Sequence, residues 1–322
     1  MRVAHSFVSL LAALACVAFT LRARATYSIA AADTRTHATG GAGTSCLHGD
    51  DVYVIYGGVP GLGTVHAQAL LNEDARDEGV RLLASGATPS DVIARVTSPA
   101  FDAYASLRQY GVVSVTGQSA GFTGADDQAY AADLQGAVGD FVYSVQGNFL
   151  TSRAVIDHAS AAFEASGCDL PERLLHALEA GADGGEGDHR CTPDGLPSDS
   201  AFLEVELPES EPGSYLELRV PSSGNQSPLP ELHAKFDRWR ASHACPAVSG
   251  GDLGATAVSA AADAGGPGTD GQSGCACRLP HGRGPKNAPN PAGFVALASA
   301  VLTFRRRAKS PTRVRGSLPR LS

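Results

Sequence analysis

Residues 26–247 contain no Pro-, Gly- or Ser-rich break long enough to separate two domains, which predicts one large domain. Along this stretch, strand patterns occur in adjacent groups and helical patterns mostly in pairs. We predict strands at 26–32, 52–56, 64–71, 109–123 (a hairpin), 141–145, 201–207 and 215–220. We predict helices at 73–85, 88–96, 153–165, 170–180 and 229–241. This order favours an α+β fold, with helices covering antiparallel sheets, over a parallel doubly wound sheet.

Charge divides the chain into three parts. All 33 acidic residues lie within 26–277, whereas 1–25 and 278–322 carry basic residues only, so the formal net charge of -8 hides a strongly acidic middle part. Binding to nucleic acid needs clustered Lys and Arg, so the acidic part argues against a nucleic-acid partner. Hydrophobic residues make up 43% of the chain, which is enough for a packed core and excludes wholesale disorder.

Residues 1–25 have the pattern of a secretory signal peptide. A short basic start precedes an apolar stretch at 7–20, which is too short to span a bilayer as a helix. Ala23-Arg24-Ala25 then places small residues where a signal peptidase recognises them, so we predict export and Thr26 as the new N-terminus. The alternative is lipoprotein processing at Cys16, which lacks the expected large aliphatic residue three positions earlier.

The C-terminal region has the order of a sorting signal. Residues 248–274 are rich in Gly, Ala, Ser, Asp and Thr, which predicts a flexible linker. In the tail at 275–322, Cys275 and Cys277 precede an apolar segment at 293–304 and an arginine cluster. This order resembles the MYXO-CTERM sorting tail, and the resemblance implies processing near the cysteines and anchoring at the outer membrane or cell surface. The alternative is a disordered basic tail with a chance apolar patch.

Cysteine usage agrees with export. Four cysteines lie in the predicted domain: Cys46, Cys168, Cys191 and Cys245. We expect two disulfides in an oxidising compartment, and the sequence does not choose among the three pairings. Metal ligation is the alternative, but this domain has no CxxC pair and the chain has no HExxH motif. We therefore predict neither a metal ion nor another cofactor.

The position of Thr26 suggests a specific chemistry. At a free N-terminus, the α-amine can remove the proton of its own threonine hydroxyl, directly or through water. The ordinary pKa of an α-amine is about 7.7–8, so an appreciable neutral fraction exists at neutral pH. Export would thus uncover an N-terminal nucleophile. The simpler interpretation is that Thr26 is an ordinary first residue of a processed protein.

The sequence around and beyond Thr26 resembles the domain of unknown function 1028 family. The opening matches as Thr-Tyr-Ser-Ile-Ala-Ala-Ala-Asp. Further matches follow in the same order along the chain at 43–45, 66–69, 79–86, 108–113, 122–124, 145–150 and 174–181. The resemblance covers most of 26–207 and implies the N-terminal nucleophile hydrolase superfamily. It also implies a four-layer α-β-β-α sandwich of two antiparallel sheets, without an established substrate.

The chain departs from the family pattern in two places. Common members carry a Trp-Ala-Gly-His stretch where this chain has 128–133, and many have Gly-Gly-Asp-x-Arg-Gly where this chain has 185–191. Several N-terminal nucleophile hydrolases also place a lysine beside the nucleophile. Within 26–277 the only lysine is Lys235, and its helical pattern predicts a surface role.

We therefore assign the catalytic roles without a lysine. The amine of Thr26 would be the base, and Ser45 would orient it. The oxyanion would be held by backbone N–H groups or by the side-chain amides of Gln68, Asn72 or Asn148. Each amide has a simpler interpretation, since Asn72 fits a helix cap, Asn148 a turn, and Gln68 can satisfy backbone groups.

Two functions are compatible with these features. The first is an exported amidohydrolase or peptidase-like enzyme that acts on small amides or peptides through Thr26. The second is a non-catalytic binding module of the same fold at the cell surface, which the missing lysine and the altered loops favour. A homo-oligomer is compatible with either function.

Overall fold

Two antiparallel sheets and five α-helices make up residues 26–245, the part of the chain that the computed structural model describes. The strands are β1 (Thr26–Asp33), β2 (Thr39–Ser45), β3 (Tyr56–Val59), β4 (Gly63–Ala69), β5 (Arg108–Ser114), β6 (Gln118–Thr123), β7 (Ala132–Val138), β8 (Phe141–Asn148), β9 (Ser200–Glu206) and β10 (Leu216–Val220). The helices are α1 (Glu73–Ala84), α2 (Pro89–Val96), α3 (Ala154–Ala165), α4 (Leu170–Ala180) and α5 (Leu229–Arg240). The predicted signal peptide, linker and sorting tail lie outside the described residues.

The larger sheet has six strands in the order β10-β9-β2-β1-β8-β7, and the smaller has four in the order β3-β4-β5-β6. Strand β1 is central, pairing with β2 on one side and β8 on the other. Because successive side chains of a strand point to opposite faces, Tyr27 and Ile29 join the core beneath α3 and α4, whereas Ala30 faces Val113 of the smaller sheet. These observations confirm the predicted α+β class with two antiparallel sheets.

The helices form the outer layers. Helices α3, α4 and α5 cover the larger sheet, and α1 and α2 cover the smaller one. Their starts follow local capping: Asn72 Oδ1 accepts from Ala75 N at 3.1 Å, and Thr88 forms a reciprocal capping box with Asp91. The helix bounds therefore agree closely with the sequence prediction. None of the helices between residues 26 and 245 combines the length and apolarity needed to cross a membrane.

The two sheets approach closely at glycine. A Cβ atom on Gly41 would lie 2.2 Å from His66 Nε2, and one on Gly111 would lie 2.0 Å from Gln146 Oε1. The larger side chains His66 and Gln146 occupy the space that these glycines leave. Small and polar residues thus line much of the contact between the sheets, while the bulky apolar residues pack beneath the helices.

Three strand assignments differ from the sequence prediction. Residues 52–56 are not a strand, because Val52–Ile55 form a 3₁₀ helix capped by Asp51, and β3 begins at Tyr56. Strand β2 escaped prediction because its sequence, Thr-Gly-Gly-Ala-Gly-Thr-Ser, has low strand propensity. Strand β7 also escaped prediction, since it lies at the sheet edge and lacks a strong alternation of apolar residues.

Two disulfides are present, as predicted. Cys46 pairs with Cys191, with Cα atoms 5.7 Å apart, and Cys168 pairs with Cys245, with Cα atoms 5.8 Å apart. The first connects the end of β2 to the loop before β9. The second connects the start of α4 to the segment after α5.

Candidate functional site

Thr26 lies at one end of the larger sheet, between the last residues of two neighbouring strands. The register of β1 places it opposite Ser45 of β2 and opposite Asn148 of β8. Thr26 N donates to Asn148 Oδ1 at 3.1 Å, and Thr26 Oγ1 donates to Ser45 Oγ at 3.1 Å. All three side chains are buried, with Thr26 only 1% exposed. The antiparallel pairing alone thus brings together a threonine, a serine and an amide.

Gln68 lies beside these residues at the end of β4, in the smaller sheet. Its Nε2 donates to Thr26 O at 3.0 Å and to Gln109 Oε1 at 2.8 Å, and its Oε1 accepts from Ser28 Oγ at 2.6 Å. Both hydrogens of this amide are therefore used within the protein. Gln68 holds the first residue of β1 against the smaller sheet.

Asn72 takes part in a separate set of hydrogen bonds, none of which reaches Thr26 in the described part of the chain. Its Oδ1 caps α1, and its Nδ2 donates to Asp102 Oδ2 at 2.8 Å. Arg108 Nε also donates to this carboxylate oxygen at 2.8 Å. The structure thus places Asn72 in a network that joins α1 to the start of β5, and both ends of its amide are used there.

Lys235 also lies elsewhere. Its ammonium group forms an ion pair with Glu231 one turn earlier in α5, at 3.0 Å, and donates to the Arg219 carbonyl. Glu231 is exposed, which is the surface arrangement that the helical pattern predicts. No contact links Lys235 to Thr26 within residues 26–245.

Asp127 was missed in the sequence and lies directly behind Asn148. Its Oδ1 accepts from Asn148 Nδ2 at 3.3 Å and from Gln128 N at 2.7 Å, whereas its Oδ2 is buried without a hydrogen-bond partner in the described part of the chain. Burial raises the pKa of Asp127 to about 6. The only sequence signal was its position beside the segment 128–133, where the chain departs from the family pattern.

Arg190 was also missed as a functional residue. It forms a two-pronged ion pair with Asp188, with Nη2–Oδ2 at 2.8 Å and Nε–Oδ1 at 3.2 Å. Its Nη2 also donates to Ser45 Oγ at 3.3 Å. Asp188 is fully buried, and burial raises its pKa while Arg190 opposes that rise. Both residues lie in the loop 185–191, where they keep the Asp-x-Arg of the family pattern while Glu186 and Cys191 replace its glycines. That match was the sequence signal, although it did not indicate the contact with Ser45.

Two residues of left-handed backbone conformation border the site. Ala69, directly after Gln68, has φ 70°, and Phe149, directly after Asn148, has φ 54°. Such angles are uncommon for residues with a Cβ atom and persist only where the surroundings fix them. Phe149 is fixed on both sides, since its N–H donates to Gln128 O at 2.8 Å and its carbonyl accepts from His189 N at 3.0 Å.

The described residues offer no free metal-ligand set at Thr26. Cys46, Cys191 and Asp199 have ligand atoms within 4.8 Å of one another. The two sulfurs are joined in a disulfide, however, so they cannot bind a cation as thiolates. Asp199 also accepts from the backbone N–H groups of Leu47 and His48, at 2.8 and 2.9 Å.

A separate cleft lies at the other end of β1. It has a volume of about 680 Å³ and is bordered by Asp33, Arg35, Asp140, Arg173 and Tyr215, among others. These charged groups of both signs are largely paired with one another, as in the contacts of Arg35 with Asp33 and Asp140. Thr26 and Asp33 are the first and last residues of β1, so this cleft is separate from the buried threonine.

Together, the fold and the site define an α+β protein of two antiparallel sheets with a buried threonine at the start of the central strand. The sequence model of the family of unknown function DUF1028 matches residues 26–232, and the chain belongs to this family. The chain is similar to the crystal structure of protein SPO2555 from Silicibacter pomeroyi, of the same family. The TM-score is 0.56 at 25% sequence identity, over 67% of this chain and 89% of that chain. Comparison with curated proteins finds no match.

Proposed function

We propose that this chain is an exported N-terminal nucleophile hydrolase that cleaves amide or peptide bonds with Thr26. One observation carries the proposal: the backbone nitrogen and the hydroxyl of the same residue, Thr26, are held by two separate side chains, Asn148 and Ser45. A nucleophile and its base must have a fixed mutual geometry, and these two hydrogen bonds provide it.

The amine of a processed Thr26 would serve as the general base. When neutral, it has two N–H hydrogens and one lone pair, and Asn148 Oδ1 accepts one N–H, which orients the lone pair. Because this acceptor is an uncharged amide, it forms no ion pair with the ammonium form of the amine.

Acyl transfer then proceeds in two halves. Thr26 Oγ1 attacks the amide carbonyl carbon while its proton passes to the α-amine, directly or through water. The C–N bond breaks as the amine returns this proton to the leaving nitrogen, which leaves an ester on Thr26. Water hydrolyses the ester by the same path. Of the predicted amides, Asn148 is the one that contacts the Thr26 nitrogen, through Oδ1, whereas Gln68 gives both of its amide hydrogens to protein acceptors and Asn72 caps α1; the oxyanion would be held by Asn148 or by backbone N–H groups.

Export forms part of the proposal, because the mechanism needs a free Thr26. Removal of 1–25 as a signal peptide would supply it. The match to the family begins at the same residue, Thr26, and two disulfides suit an oxidising compartment. The resemblance of 275–322 to a sorting tail supports retention at the cell surface. Small amides or peptides are the proposed substrates.

The experiment is acylation of the exported full-length protein by a small alkyl β-lactone. The hydroxyl opens the lactone ring, so Thr26 gains the mass of the whole lactone as an ester, which peptide mass spectrometry locates. We expect labelling of the wild type and of Thr26→Ser, and none of Thr26→Ala at this position. An unlabelled wild-type Thr26 peptide would remove the catalytic proposal and favour a non-catalytic surface binding module.

A further inference from the structure

The guanidinium group of Arg190 is linked to Thr26 by two hydrogen bonds through the hydroxyl of Ser45. Arg190 Nη2 donates to Ser45 Oγ at 3.3 Å, and Ser45 Oγ accepts from Thr26 Oγ1 at 3.1 Å. Ser45 is fully buried, and the Arg190 side chain is 24% exposed. The guanidinium is therefore partly shielded from water while it lies two hydrogen bonds from the hydroxyl of Thr26.

Arg190 is oriented by several independent contacts. Asp188 fixes the guanidinium plane through two oxygens, and Asp188 Oδ2 also accepts from Cys46 N at 2.6 Å. Asp188 N donates to Pro197 O at 2.8 Å, and an isolated β-bridge pairs Asp188 with Leu150. The ion pair is thus built into the end of the larger sheet.

The Cys46–Cys191 disulfide lies next to both Ser45 and Arg190 in the sequence. Cys46 comes directly after Ser45, and Cys191 comes directly after Arg190. The covalent bond therefore fixes the distance between the backbone that carries Ser45 and the backbone that carries Arg190. The Cys168–Cys245 disulfide has no comparable position, since it connects the start of α4 to the segment after α5.

In the part of the chain that the structure describes, the charged and titratable groups near these residues include His48, whose Nε2 lies 3.6 Å from Cys46 Sγ and whose Nδ1 lies 3.4 Å from Asp199 Oδ2. Arg190 faces Asp188, and Thr26 faces Asp127 across Asn148. On the far side of Cys46, Asp199 accepts from the backbone of residues 47 and 48. Among the described contacts, Arg190 is thus the positively charged residue that is linked to Thr26.

We propose that Arg190 is a positioning residue for Thr26, acting through Ser45, and that the Cys46–Cys191 disulfide holds it there. This inference rests on the proposed function of Thr26. A nearby positive charge disfavours the ammonium form of the Thr26 amine and favours negative charge developing on Oγ1. Arg190 would supply in this chain what a lysine beside the nucleophile supplies in other N-terminal nucleophile hydrolases, with the charge brought in by a disulfide-bonded loop.

The test measures the rate of β-lactone labelling of Thr26 against pH in the exported full-length protein. Loss of the charge in Arg190→Gln should lower the rate at pH 7 about tenfold and raise the pH midpoint by roughly half to one pH unit. Arg190→Lys keeps a charge and should restore the midpoint in part. Because Arg190→Gln leaves Asp188 buried without its partner, the double variant Asp188→Asn/Arg190→Gln removes both charges. Its midpoint should still lie above that of the wild type, by less than in Arg190→Gln, because the guanidinium is the member of the pair that contacts Ser45.

The disulfides provide a matched pair of variants. Cys46→Ser/Cys191→Ser should lower the labelling rate several-fold and raise the midpoint, whereas Cys168→Ser/Cys245→Ser should label as the wild type does. Circular dichroism checks that each variant is folded. Folded Arg190 variants with wild-type rates and midpoints would overturn this inference and leave the proposed function standing. An unlabelled wild type would overturn both.

Discussion

The buried carboxyl group of Glu204 should make the protein less stable as the pH rises toward 8. It lies in β9 with no exposed surface, and within the described part of the chain no side chain donates a hydrogen bond to its carboxyl group, which the backbone of Gly213 alone approaches. Burial, together with repulsion by Glu217 and Glu206, raises its pKa from the ordinary 4.5 to about 8. Between these values the folded protein keeps a proton that the unfolded chain releases. The free energy of unfolding should therefore fall as the pH rises from about 5 to 8.

The size of the effect follows from the pKa difference. Each pH unit within this interval removes at most about 1.4 kcal/mol from the free energy of unfolding, so the upper limit over the whole interval is about 5 kcal/mol. We expect about 2 kcal/mol between pH 6 and pH 8, because the slope falls to about half of its limit as the pH reaches the folded pKa of about 8. The side chain of the Glu204→Gln variant cannot ionise. Between pH 6 and pH 8, the free energy of unfolding of this variant should therefore fall by about 2 kcal/mol less than that of the wild type.

The assay is urea unfolding at pH 6, 7 and 8, with both disulfides intact, for the wild type and Glu204→Gln. Glu209→Gln is the matched control, because Glu209 is exposed and lies just after β9. The control should follow the wild type at each pH. If Glu204→Gln also follows the wild type, Glu204 is ionised at neutral pH and its assigned burial is refuted.

Three further predictions concern packing and the site. Gly41→Ala should lower the free energy of unfolding by about 2 kcal/mol, because its Cβ would lie 2.2 Å from His66 Nε2; unchanged urea unfolding would contradict this close approach. Tyr27→Phe should cost about 1 kcal/mol by the same assay, since it removes the bond from Tyr27 Oη to Leu178 O at 2.8 Å, and an equally stable variant would contradict the expectation. Asp127→Ala should slow β-lactone labelling of Thr26 several-fold, because the amide behind Thr26 loses its acceptor, and a wild-type rate would show that Asp127 does not orient the site.

The helices could be predicted from the sequence because their signals are local. Asn72 and Thr88 cap α1 and α2 through residues three positions later, and such contacts need no knowledge of the tertiary structure. The strand order along the chain was also largely predictable. Strands β2 and β7 were not, because a glycine-rich strand and an edge strand form through pairing with neighbours distant in sequence.

Glu204 shows how an alternating pattern can mislead. Glu204 and Glu206 alternate with Leu203 and Val205, which usually indicates a face exposed to solvent. Here the second face of the sheet turns toward the smaller sheet, so both glutamates are buried. Glu206 accepts from Tyr56 Oη at 3.1 Å, whereas Glu204 lacks such a partner.

The candidate site was predictable only in part. Thr26, Ser45 and Asn148 were named from the resemblance and from chemistry, and the strand register brings them together. The contact of Arg190 with Ser45 was not predictable, because the disulfide pairing that accompanies it joins residues 145 positions apart. Of the three possible pairings, the tertiary structure selects the one that places the altered loop beside β2.

The N-terminal sequence of the exported protein tests the central claim most directly. The mechanism requires the α-amine and the hydroxyl of one residue, so it holds only if processing exposes Thr26. We predict that Edman degradation of the exported protein begins Thr-Tyr-Ser-Ile with an unblocked amine. A different first residue, or a blocked amine on Thr26, would contradict the account, because the proposed base would then not exist.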